Sequence, residues 1–563
     1  MERADVTVDA VVVGSGAAGL TAALVAKKLR LDVLVVEKSP LYGGSTALSG
    51  GGLWVPNNHL MKAAGIYDSP ELAETYLTAI IGDRVPLSRI RAFIAAAPEM
   101  VRFLADRCGI PFQIVPNSAD YYDRPGAITN GRALEVRPFN GKLLGPHRRE
   151  LRSQLELPGG VGMSIGEFLL LSKFRTTAAG KRQLLRFVGT AATHVVTRRE
   201  RLGLGQALVG RLRYALLQAG VPLWLRAPLT NIVVEGGRVG EGSRVVGVEV
   251  ERDGRRTVVA ARRGVVLAAG GFARNQAMRE QYLPKPTSAE WSSANPDDTG
   301  DAIRLGMELG AATDLMDDAW WGSAYVLPGQ GAFFTVAERQ LPGTLVVDAT
   351  GRRFANEAMP YTDWGHAVYA HHAATGAGIP NYLILDQRAR SRYMLGTAMP
   401  GRGLPKVFFE SGVAVQADTI RGLAAQLGMD PAVLEATIER FNGFARGKRD
   451  QDFRRGETPF EHVYADPGTW PNPSLAPVDR PPFYAIKMVV GDLGTKGGLV
   501  TDERARVLDG EGRVIPGLYA AGNTSASVMG NVYAGAGATI GPAMTFGYLA
   551  ALDMAGAPVP AGE

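Results

Sequence analysis

The chain is predicted to have an α/β fold, in which a parallel sheet domain carries an inserted α+β domain. A βαβ unit near residue 6 contains a glycine-rich turn and ends in an acidic residue. Two later apolar segments, 264–272 and 517–523, also end in glycine turns. The length of 563 residues is too great for one hydrophobic core. These observations predict a sheet whose strand ends hold a ligand, and a second domain.

The βαβ unit runs from Val6 to Lys38 and predicts a Rossmann-like dinucleotide site. In its turn, 14–19, the first glycine permits the sharp bend and the second lets the backbone approach a diphosphate. The third lets the helix pack against the strand, and the helix N-terminus favours the diphosphate charge. An acidic side chain after the second strand can accept a hydrogen bond from a ribose hydroxyl. The residues predicted to bind are Gly14, Gly16, Ala17, Ala18, Gly19, Glu37 and Lys38.

The loop at 42–54 favours FAD over NAD. It is rich in Gly, Ser and Thr, whose amides and hydroxyls suit a flat ring and its phosphates. NAD-binding folds rarely need such a loop. The FAD contacts expected here are Gly44, Ser45, Thr46, Ser49, Gly50, Gly51 and Gly52.

Further FAD contacts are expected where later strands end. The glycine pair after the apolar run 264–269 and the turn after 517–521 place backbone close to a cofactor. Asp301 is expected near the N-terminus of a helix. The further FAD contacts predicted along the chain are Leu229, Ala269, Gly270, Gly271, Asn275, Asp301, Gly522, Asn523, Ala538 and Ile540.

Composition argues against several classes of protein. The chain is 46% hydrophobic and 21% charged, as is typical of a globular protein. Cys108 is its only cysteine, which rules out an intrachain disulfide or a CxxC motif. No HExxH motif occurs among its seven histidines, so a metal enzyme is not expected. Because the first strand begins within ten residues, no signal peptide is expected, and no apolar run has the length and character of a membrane span.

An insertion at 147–201 carries the basic excess of the chain. Its part 173–201 holds eight Lys or Arg residues and one Glu, a net charge of +7, whereas the whole chain carries +6. Aromatic and aliphatic residues alternate with these charges, which predicts an amphipathic segment on an anionic membrane surface. A solvated basic loop and an oligomer contact are the alternatives. Nucleic acid is not expected as a partner, because no recognition module accompanies the charge. We expect a cytoplasmic protein associated peripherally with the inner face of the cell membrane.

The domain limits are predicted from changes in composition. Residues 1–318 form the first part of the FAD-binding domain, 319–494 the substrate domain, and 495–563 the return segment of the FAD-binding domain. Within the return segment, 514–552 contains no Asp, Glu, Lys, Arg or His. An uncharged wall beside the cofactor suits a neutral, apolar substrate.

Several motifs resemble those of the fumarate reductase/succinate dehydrogenase flavoprotein superfamily. They are VVVGSGAAGLTAA, VVEK, YGGSTALSGGGLWVP, VVLAAGGFARN, GDLGTKGGLVTD and GLYAAGNTSAS. More narrowly, ADYY, RRFANEAMPY, GDLGTKGG and NVYAGAGATIGPAM are similar to 3-ketosteroid Δ1-dehydrogenases. The basic insertion is similar to that of membrane-associated cholest-4-en-3-one Δ1-dehydrogenases. The resemblance implies FAD-dependent 1,2-dehydrogenation of 3-ketosteroids of sterol type, and an external electron acceptor such as a quinone.

The active-site positions of that family match Tyr121, Tyr361, Tyr533 and Gly537. The resemblance and the chemistry imply that Tyr361 takes the C2 proton with Tyr121 as its hydrogen-bonded partner. The Tyr533 hydroxyl and the Gly537 N–H are expected to bind the C3 oxygen, and flavin N5 to accept the C1 hydride. Ala534 stands where many members have proline.

Three alternatives remain open on the sequence. A 3-ketosteroid Δ4-(5α)-dehydrogenase of the same superfamily would act at C4 and C5. An enone reductase of the fumarate reductase type is disfavoured, because the uncharged final stretch lacks its Arg and His, and Arg353 is expected to be structural. A flavin-binding membrane protein without turnover is the third. The loop at 42–54 has no histidine for a covalent bond to flavin, so the FAD is expected to be non-covalent.

Overall fold

The computed structural model describes residues 4–153, 162–197, 200–235, 244–396 and 398–560. Within these residues the strands are β1 (Val6–Val13), β2 (Val33–Val36), β3 (Leu53–Trp54), β4 (Phe112–Ile114), β5 (Ala133–Val136), β6 (Phe139–Asn140), β7 (Arg201–Leu202), β8 (Leu223–Trp224), β9 (Leu229–Val234), β10 (Val245–Arg252), β11 (Arg255–Leu267), β12 (Thr313–Asp314), β13 (Ala319–Leu327), β14 (Gly331–Phe334), β15 (Thr344–Val347), β16 (Asn381–Asp386), β17 (Ala414–Ala417), β18 (Phe483–Thr495), β19 (Gly498–Leu499), β20 (Arg506–Leu508) and β21 (Val514–Ala520). The α-helices of the same ranges are α1 (Ala17–Lys28), α2 (Gly44–Leu48), α3 (His59–Ala63), α4 (Pro70–Ile81), α5 (Leu87–Cys108), α6 (Ile165–Leu171), α7 (Ala178–Thr197), α8 (Leu204–Gln218), α9 (Gln276–Tyr282), α10 (Asp301–Glu308), α11 (Tyr361–Thr375), α12 (Gln387–Arg392), α13 (Lys406–Glu410), α14 (Ile420–Leu427), α15 (Pro431–Gly447) and α16 (Ile540–Ala555).

The first large sheet confirms the predicted α/β fold. Its strand order is β20-β21-β11-β1-β2-β8, with β10 antiparallel to β11 and β9 antiparallel to β10. β1 pairs in parallel with β2 and β11, and β11 pairs in parallel with β21. Val13 lies opposite both Val36 and Leu267, and Leu267 lies opposite Ala520. The carboxyl ends of four strands are therefore level at one edge.

Helix α1 packs closely on this sheet because of the third glycine of the turn. A Cβ atom on Gly19 would lie 2.1 Å from the Gly14 carbonyl oxygen. The last helix, α16, returns to α1 in the same way, since a Cβ atom on Gly547 would lie 2.5 Å from the Ala18 oxygen. The start and the end of the chain thus share one hydrophobic core.

The second large sheet is built from strands between Ala319 and Thr495, in the order β14-β13-β18-β16-β15 with β17 on β18. The long strand β18 contacts β13, β16 and β17. Helices α14 and α15 cover a separate core beneath it, which includes Leu434, Ile438 and Phe441. The limits 1–318, 319–494 and 495–563 stay a prediction.

The basic insertion folds into helices where it is described. Helix α6 begins with a capping box, in which Ser164 and Glu167 bond each other's backbone, and α7 follows. Arg198 and Arg199 lie outside the described residues. None of the helices in the described ranges is long and apolar enough to cross a membrane.

Candidate active site

The predicted cofactor residues come together at the carboxyl edge of the first sheet. The Gly14 amide donates to the Val36 carbonyl at 2.8 Å, and the Ala268 amide donates to the Val13 carbonyl at 2.8 Å. The turn after β1, the end of β2, the loop after β11 and the turn after β21 therefore surround one space. Such an edge is where open α/β sheets bind dinucleotides.

The glycines of this edge divide into those that pack and those that line open space. Gly14 has φ +105°, and a Cβ atom there would lie 2.3 Å from the Ala268 oxygen. A Cβ atom on Gly16 would meet only the Thr46 hydroxyl, at 3.5 Å, and one on Gly44 would meet only Gly16, at 3.9 Å. The protein thus leaves room between the first turn and α2, with backbone on both sides. That space fits a diphosphate at the N-terminus of α1.

Glu37 and Lys38 are fixed at the tip of β2. The Glu37 carboxylate accepts hydrogen bonds from the Ser15 hydroxyl at 2.6 Å and the Ser39 amide at 3.0 Å. Lys38 Nζ forms an ion pair with Asp301 Oδ2 at 2.7 Å. Two predicted FAD residues therefore contact each other, and their pairing holds the start of α10 against β2.

Asp298 is a member of this edge that the sequence did not indicate. Its Oδ2 accepts a hydrogen bond from the Ser45 hydroxyl at 2.8 Å, and a Cβ atom on Gly270 would lie 2.5 Å from its Oδ1. Burial raises the pKa of the Asp298 carboxyl to about 7. The only local signal is its place directly before Thr299-Gly300-Asp301.

The remaining predicted cofactor residues have structural contacts as well. Asn275 caps α9, since its Oδ1 accepts from the Met278 amide at 3.1 Å. Asn523 Oδ1 accepts a hydrogen bond from Trp320 Nε1 at 3.2 Å. Leu229 begins β9 two residues after Ala227, whose amide donates to the Glu37 carbonyl. The direct contact of each residue with FAD stays a prediction.

Three tyrosines from distant parts of the chain form one buried cluster. The ring centroids of Tyr361 and Tyr533 are 5.0 Å apart, and those of Tyr121 and Tyr533 are 5.3 Å apart. Tyr121 meets Tyr361 edge to face at 5.8 Å. The rings of Phe334, Phe460 and Trp320 lie against this cluster.

Each tyrosine is positioned by its own backbone. Tyr361 is the first residue of α11. The Tyr121 amide donates to the Ala534 carbonyl at 3.1 Å, and the Tyr533 amide donates to the Tyr122 hydroxyl at 3.2 Å. Loops 120–122 and 532–534 are thereby tied together, and Tyr361 joins them from the inserted sheet region.

Gly537 links the tyrosine cluster to the cofactor loop. Its φ is +95°, and a Cβ atom there would lie 2.4 Å from the Leu53 amide nitrogen. Among the described residues, no acceptor contacts its N–H group. Only glycine fits this position, and its amide remains available to a bound molecule.

Burial sets the acid–base properties of the cluster. Burial and interaction with Tyr121 and Tyr533 raise the pKa of Tyr361 well above its ordinary value. Burial likewise raises the pKa of Tyr121. The interaction with Tyr121 thus does not make Tyr361 more acidic. In the protein alone these groups are neutral phenols at pH 7.

Tyr464 also belongs to the cluster and was missed by sequence reasoning. Its hydroxyl interacts with that of Tyr121, which opposes the effect of burial, and burial raises the pKa of Tyr464 to about 12. Trp320, Phe334 and Phe460 were missed as well. No local motif surrounds any of these residues, and only the packing of the two sheets brings them to the cluster.

Arg353 has the structural role expected of it. Its guanidinium bonds the Glu357 and Asp450 carboxylates, each at 2.8 Å, with all three side chains buried. It is therefore not free to bind a substrate carboxylate. In the parts of the chain that the structure covers, no group of three or more His, Cys, Asp or Glu residues could hold a metal ion.

Comparison with known proteins identifies the family. Residues 9–540 match the model of an FAD binding domain. The 3-oxosteroid 1-dehydrogenase of Mycobacterium tuberculosis (strain ATCC 25618 / H37Rv) is 44% identical over 97% of this chain and 98% of its own length. That of Mycolicibacterium smegmatis is 45% identical over 97% of each.

A solved structure gives the same result. The 3-ketosteroid Δ1-dehydrogenase of Sterolibacterium denitrificans, in complex with 1,4-androstadiene-3,17-dione, superposes with a TM-score of 0.93. The two are 44% identical, over 98% of this chain and 99% of that one. The predicted resemblance to 3-ketosteroid Δ1-dehydrogenases and the predicted FAD cofactor are thus confirmed. The chain belongs to the 3-oxosteroid 1-dehydrogenases, a family of FAD-dependent oxidoreductases.

Proposed function

We propose that this enzyme introduces the C1–C2 double bond into 3-ketosteroids, with Tyr361 as the base, Tyr121 as its partner, and Tyr533 and Gly537 as the donors to the C3 oxygen. The observation that carries this proposal is the convergence of Tyr121, Tyr361 and Tyr533 in one buried cluster. Bound FAD would supply the acceptor for the C1 hydride at its N5 atom.

Loss of the C2 proton places negative charge on the C3 oxygen, and the site must stabilise that charge. Two preorganised hydrogen-bond donors, one from a side chain and one from the backbone, can stabilise the charge on the C3 oxygen. The Gly537 N–H has no acceptor among the described residues, and the adjoining Tyr533 offers a hydroxyl. The rings of Trp320 and Phe334 lie against Tyr533 and Tyr361, and hydrogen bonds in such apolar surroundings are stronger than in water.

The C2 proton passes to the Tyr361 phenolate, which becomes a neutral phenol, with Tyr121 as its partner. A phenol with a raised pKa is a strong base once it has lost its proton, but its phenolate is scarce at neutral pH. Tyr121, whose ring lies edge-on to that of Tyr361 and whose hydroxyl interacts with it, shares the negative charge of the phenolate before the transfer. The turnover rate should therefore increase as the pH becomes more alkaline.

The cofactor residues proposed are those of the carboxyl edge, and the FAD is proposed to be non-covalent. Support comes from the open space beside Gly16 and Gly44 and from the absence of histidine in the loop at 42–54. An external acceptor, a quinone or similar compound, would reoxidise the enzyme between turnovers.

The basic insertion is proposed to bind the inner face of the cell membrane, which would deliver sterol-type substrates such as cholest-4-en-3-one. Two apolar side chains of α7 support this, since Leu185 and Val188 are 73% and 57% exposed. The exposed Lys181, Arg182 and Arg186 lie on the same helix. Apolar side chains among basic ones suit an anionic lipid surface.

The insertion also reaches the substrate region. Lys173 Nζ donates to the Val463 carbonyl at 3.1 Å, and the next residue, Tyr464, interacts with Tyr121. A steroid that leaves the membrane along this segment would arrive beside the tyrosine cluster.

Product analysis tests the reaction against the Δ4-(5α) alternative. The purified enzyme is incubated with 5α-androstane-3,17-dione and an artificial acceptor, because this steroid can be oxidised at either position. The proposal predicts the 1-ene product. The 4-ene product as the first product would contradict it and favour a Δ4-(5α)-dehydrogenase.

A further inference from the structure

The peptide group between Val532 and Tyr533 is held by side chains at both of its polar atoms. Lys496 Nζ donates to the Val532 carbonyl at 3.3 Å. On the other side, the Tyr533 amide donates to the Tyr122 hydroxyl at 3.2 Å. Both polar atoms of the peptide are occupied, so the plane that carries Tyr533 cannot rotate without loss of a hydrogen bond.

The Tyr122 hydroxyl is itself oriented by Asp363. It donates its single proton to Asp363 Oδ2 at 2.6 Å, which leaves its lone pairs for the Tyr533 amide. Asp363 lies on α11, two residues after Tyr361. The helix that begins with the base is thus connected, through one hydroxyl, to the backbone of the oxyanion tyrosine.

Lys496 is held just as firmly on the opposite side. Its side chain is fully buried, its Nζ forms an ion pair with Asp318 Oδ2 at 3.2 Å, and it lies 4.8 Å from the ring of Trp320. Trp320 stands edge-on to Tyr533, with ring centroids 5.2 Å apart. Burial lowers the pKa of Lys496, but an amine in either protonation state keeps an N–H for Val532.

The peptide group between Ala534 and Gly535 is fixed as well. The Ala534 carbonyl accepts from the Tyr76 hydroxyl at 2.6 Å and from the Tyr121 amide at 3.1 Å. Every one of these contacts is made to the backbone of 532–534. None of them uses the Tyr533 hydroxyl, which stays directed to the other tyrosines.

We propose that Tyr122, Asp363 and Lys496 are positioning residues that aim the Tyr533 hydroxyl at the C3 oxygen of the steroid. This inference rests on the proposed role of Tyr533 as an oxyanion donor. A donor that is already aligned spends no energy on reorganisation as charge develops, so the benefit appears in kcat rather than in KM. Loss of the Tyr122 hydroxyl should therefore slow turnover while the steroid still binds.

A double-mutant cycle separates positioning from a general structural effect. Tyr122→Phe is measured in the wild-type and in the Tyr533→Phe background. In the wild type it should lower kcat about tenfold with KM within about twofold, a smaller loss than the ~100-fold expected on removing a direct donor. In the Tyr533→Phe background it should change kcat by less than about twofold, because there is no longer a hydroxyl to aim.

Three further variants keep the test decisive. Tyr519→Phe removes a hydroxyl that likewise donates to a partly buried aspartate, Asp553 Oδ2 at 2.9 Å, outside the cluster, and should leave kcat unchanged. If Tyr122→Phe does not fold, Asp363 is substituted instead. Asp363→Asn keeps an acceptor for Tyr122 and should retain most of kcat, whereas Asp363→Leu should show the loss.

The outcomes distinguish this inference from the proposed function. An equal loss on Tyr122→Phe in both backgrounds, or no loss in the wild type, overturns the positioning role alone. A Tyr533→Phe variant with normal kcat overturns the oxyanion role of Tyr533 and, with it, the positioning role.

Discussion

The rings of Tyr361 and Tyr533 lie with their centroids 5.0 Å apart and inclined at 59°. The proposed reaction acts on C2 and on the oxygen of C3, and these carbons are bonded neighbours. The base and the oxyanion donor must therefore be neighbours too. The two side chains come from positions 172 residues apart, at the start of α11 and just before α16.

Tyr533→Phe should lower kcat about 100-fold, because it removes one of two donors to the C3 oxygen while the ring and its packing remain. KM should change little. Steady-state kinetics with androst-4-ene-3,17-dione measures both constants, and the FAD content of the variant serves as the control. A kcat within about twofold of wild type would contradict the oxyanion role.

Gly537→Ala should abolish most activity and displace the loop that carries Tyr533. Its φ of +95° disfavours alanine, and the new Cβ atom would lie 2.4 Å from the Leu53 nitrogen. Gly556→Ala is the matched control, since its φ is +64° with no atom within 4 Å of the Cβ position. The control should lose about 1 kcal/mol of unfolding free energy and keep its activity. Equal kinetics in the two variants would argue against a role for Gly537.

The rate should rise with pH. Tyr361 acts as its phenolate, and its pKa is raised by burial, so the active fraction grows with each step toward alkaline pH. Log kcat should climb with a slope that approaches about 1 below that pKa. Buried tyrosines with raised pKa values also make the fold less stable as pH exceeds ~10, so the profile is measured below that value. A flat or falling profile would exclude Tyr361 as the base.

Turnover of soluble steroids and membrane binding should separate in α7 variants. Leu185→Asp combined with Val188→Asp places charge on the exposed apolar side of the helix and should weaken sedimentation with phosphatidylglycerol vesicles. Activity on androst-4-ene-3,17-dione should persist.

Tyr67→Asp is the matched control for that experiment, because Tyr67 is an equally exposed hydrophobic residue far along the chain from the insertion. It should leave vesicle binding unchanged. Unchanged binding in the α7 variant would refute the membrane proposal. A change in the oligomeric mass of the α7 variant would instead favour an oligomer contact through this insertion.

The cofactor edge could be predicted from sequence because its constraints are local. Gly19 is required by its contact with Gly14 inside one βαβ unit, and Gly14 by the positive φ of its turn, and such units have a regular spacing. Strands of one parallel sheet end at a common edge, which also places Gly270 and Gly522 there. Asp298 could not be predicted, because its role depends on contacts with Ser45 and Gly270 that only the folded chain brings about.

The tyrosine cluster could be predicted from the sequence only through its resemblance to 3-ketosteroid Δ1-dehydrogenases. Tyr121 and Tyr122 are adjacent and identical, yet one joins the ring cluster and the other bonds Asp363. Nothing local separates the two. Tyr464 and Lys496 are likewise assigned by packing between distant strands and loops. The pKa of Tyr361 depends on burial, which a motif does not measure.

Anaerobic flavin bleaching by cholest-4-en-3-one and by androst-4-ene-3,17-dione, in wild type and Tyr361→Phe, tests whether the enzyme oxidises 3-ketosteroids with Tyr361 as the base. We expect rapid bleaching in the wild type and a loss of at least about 100-fold in rate in the variant. The ratio of the two steroids reports whether a sterol side chain is preferred. A wild-type enzyme that binds FAD but whose flavin is bleached by neither steroid would contradict the proposed 1,2-dehydrogenation of 3-ketosteroids.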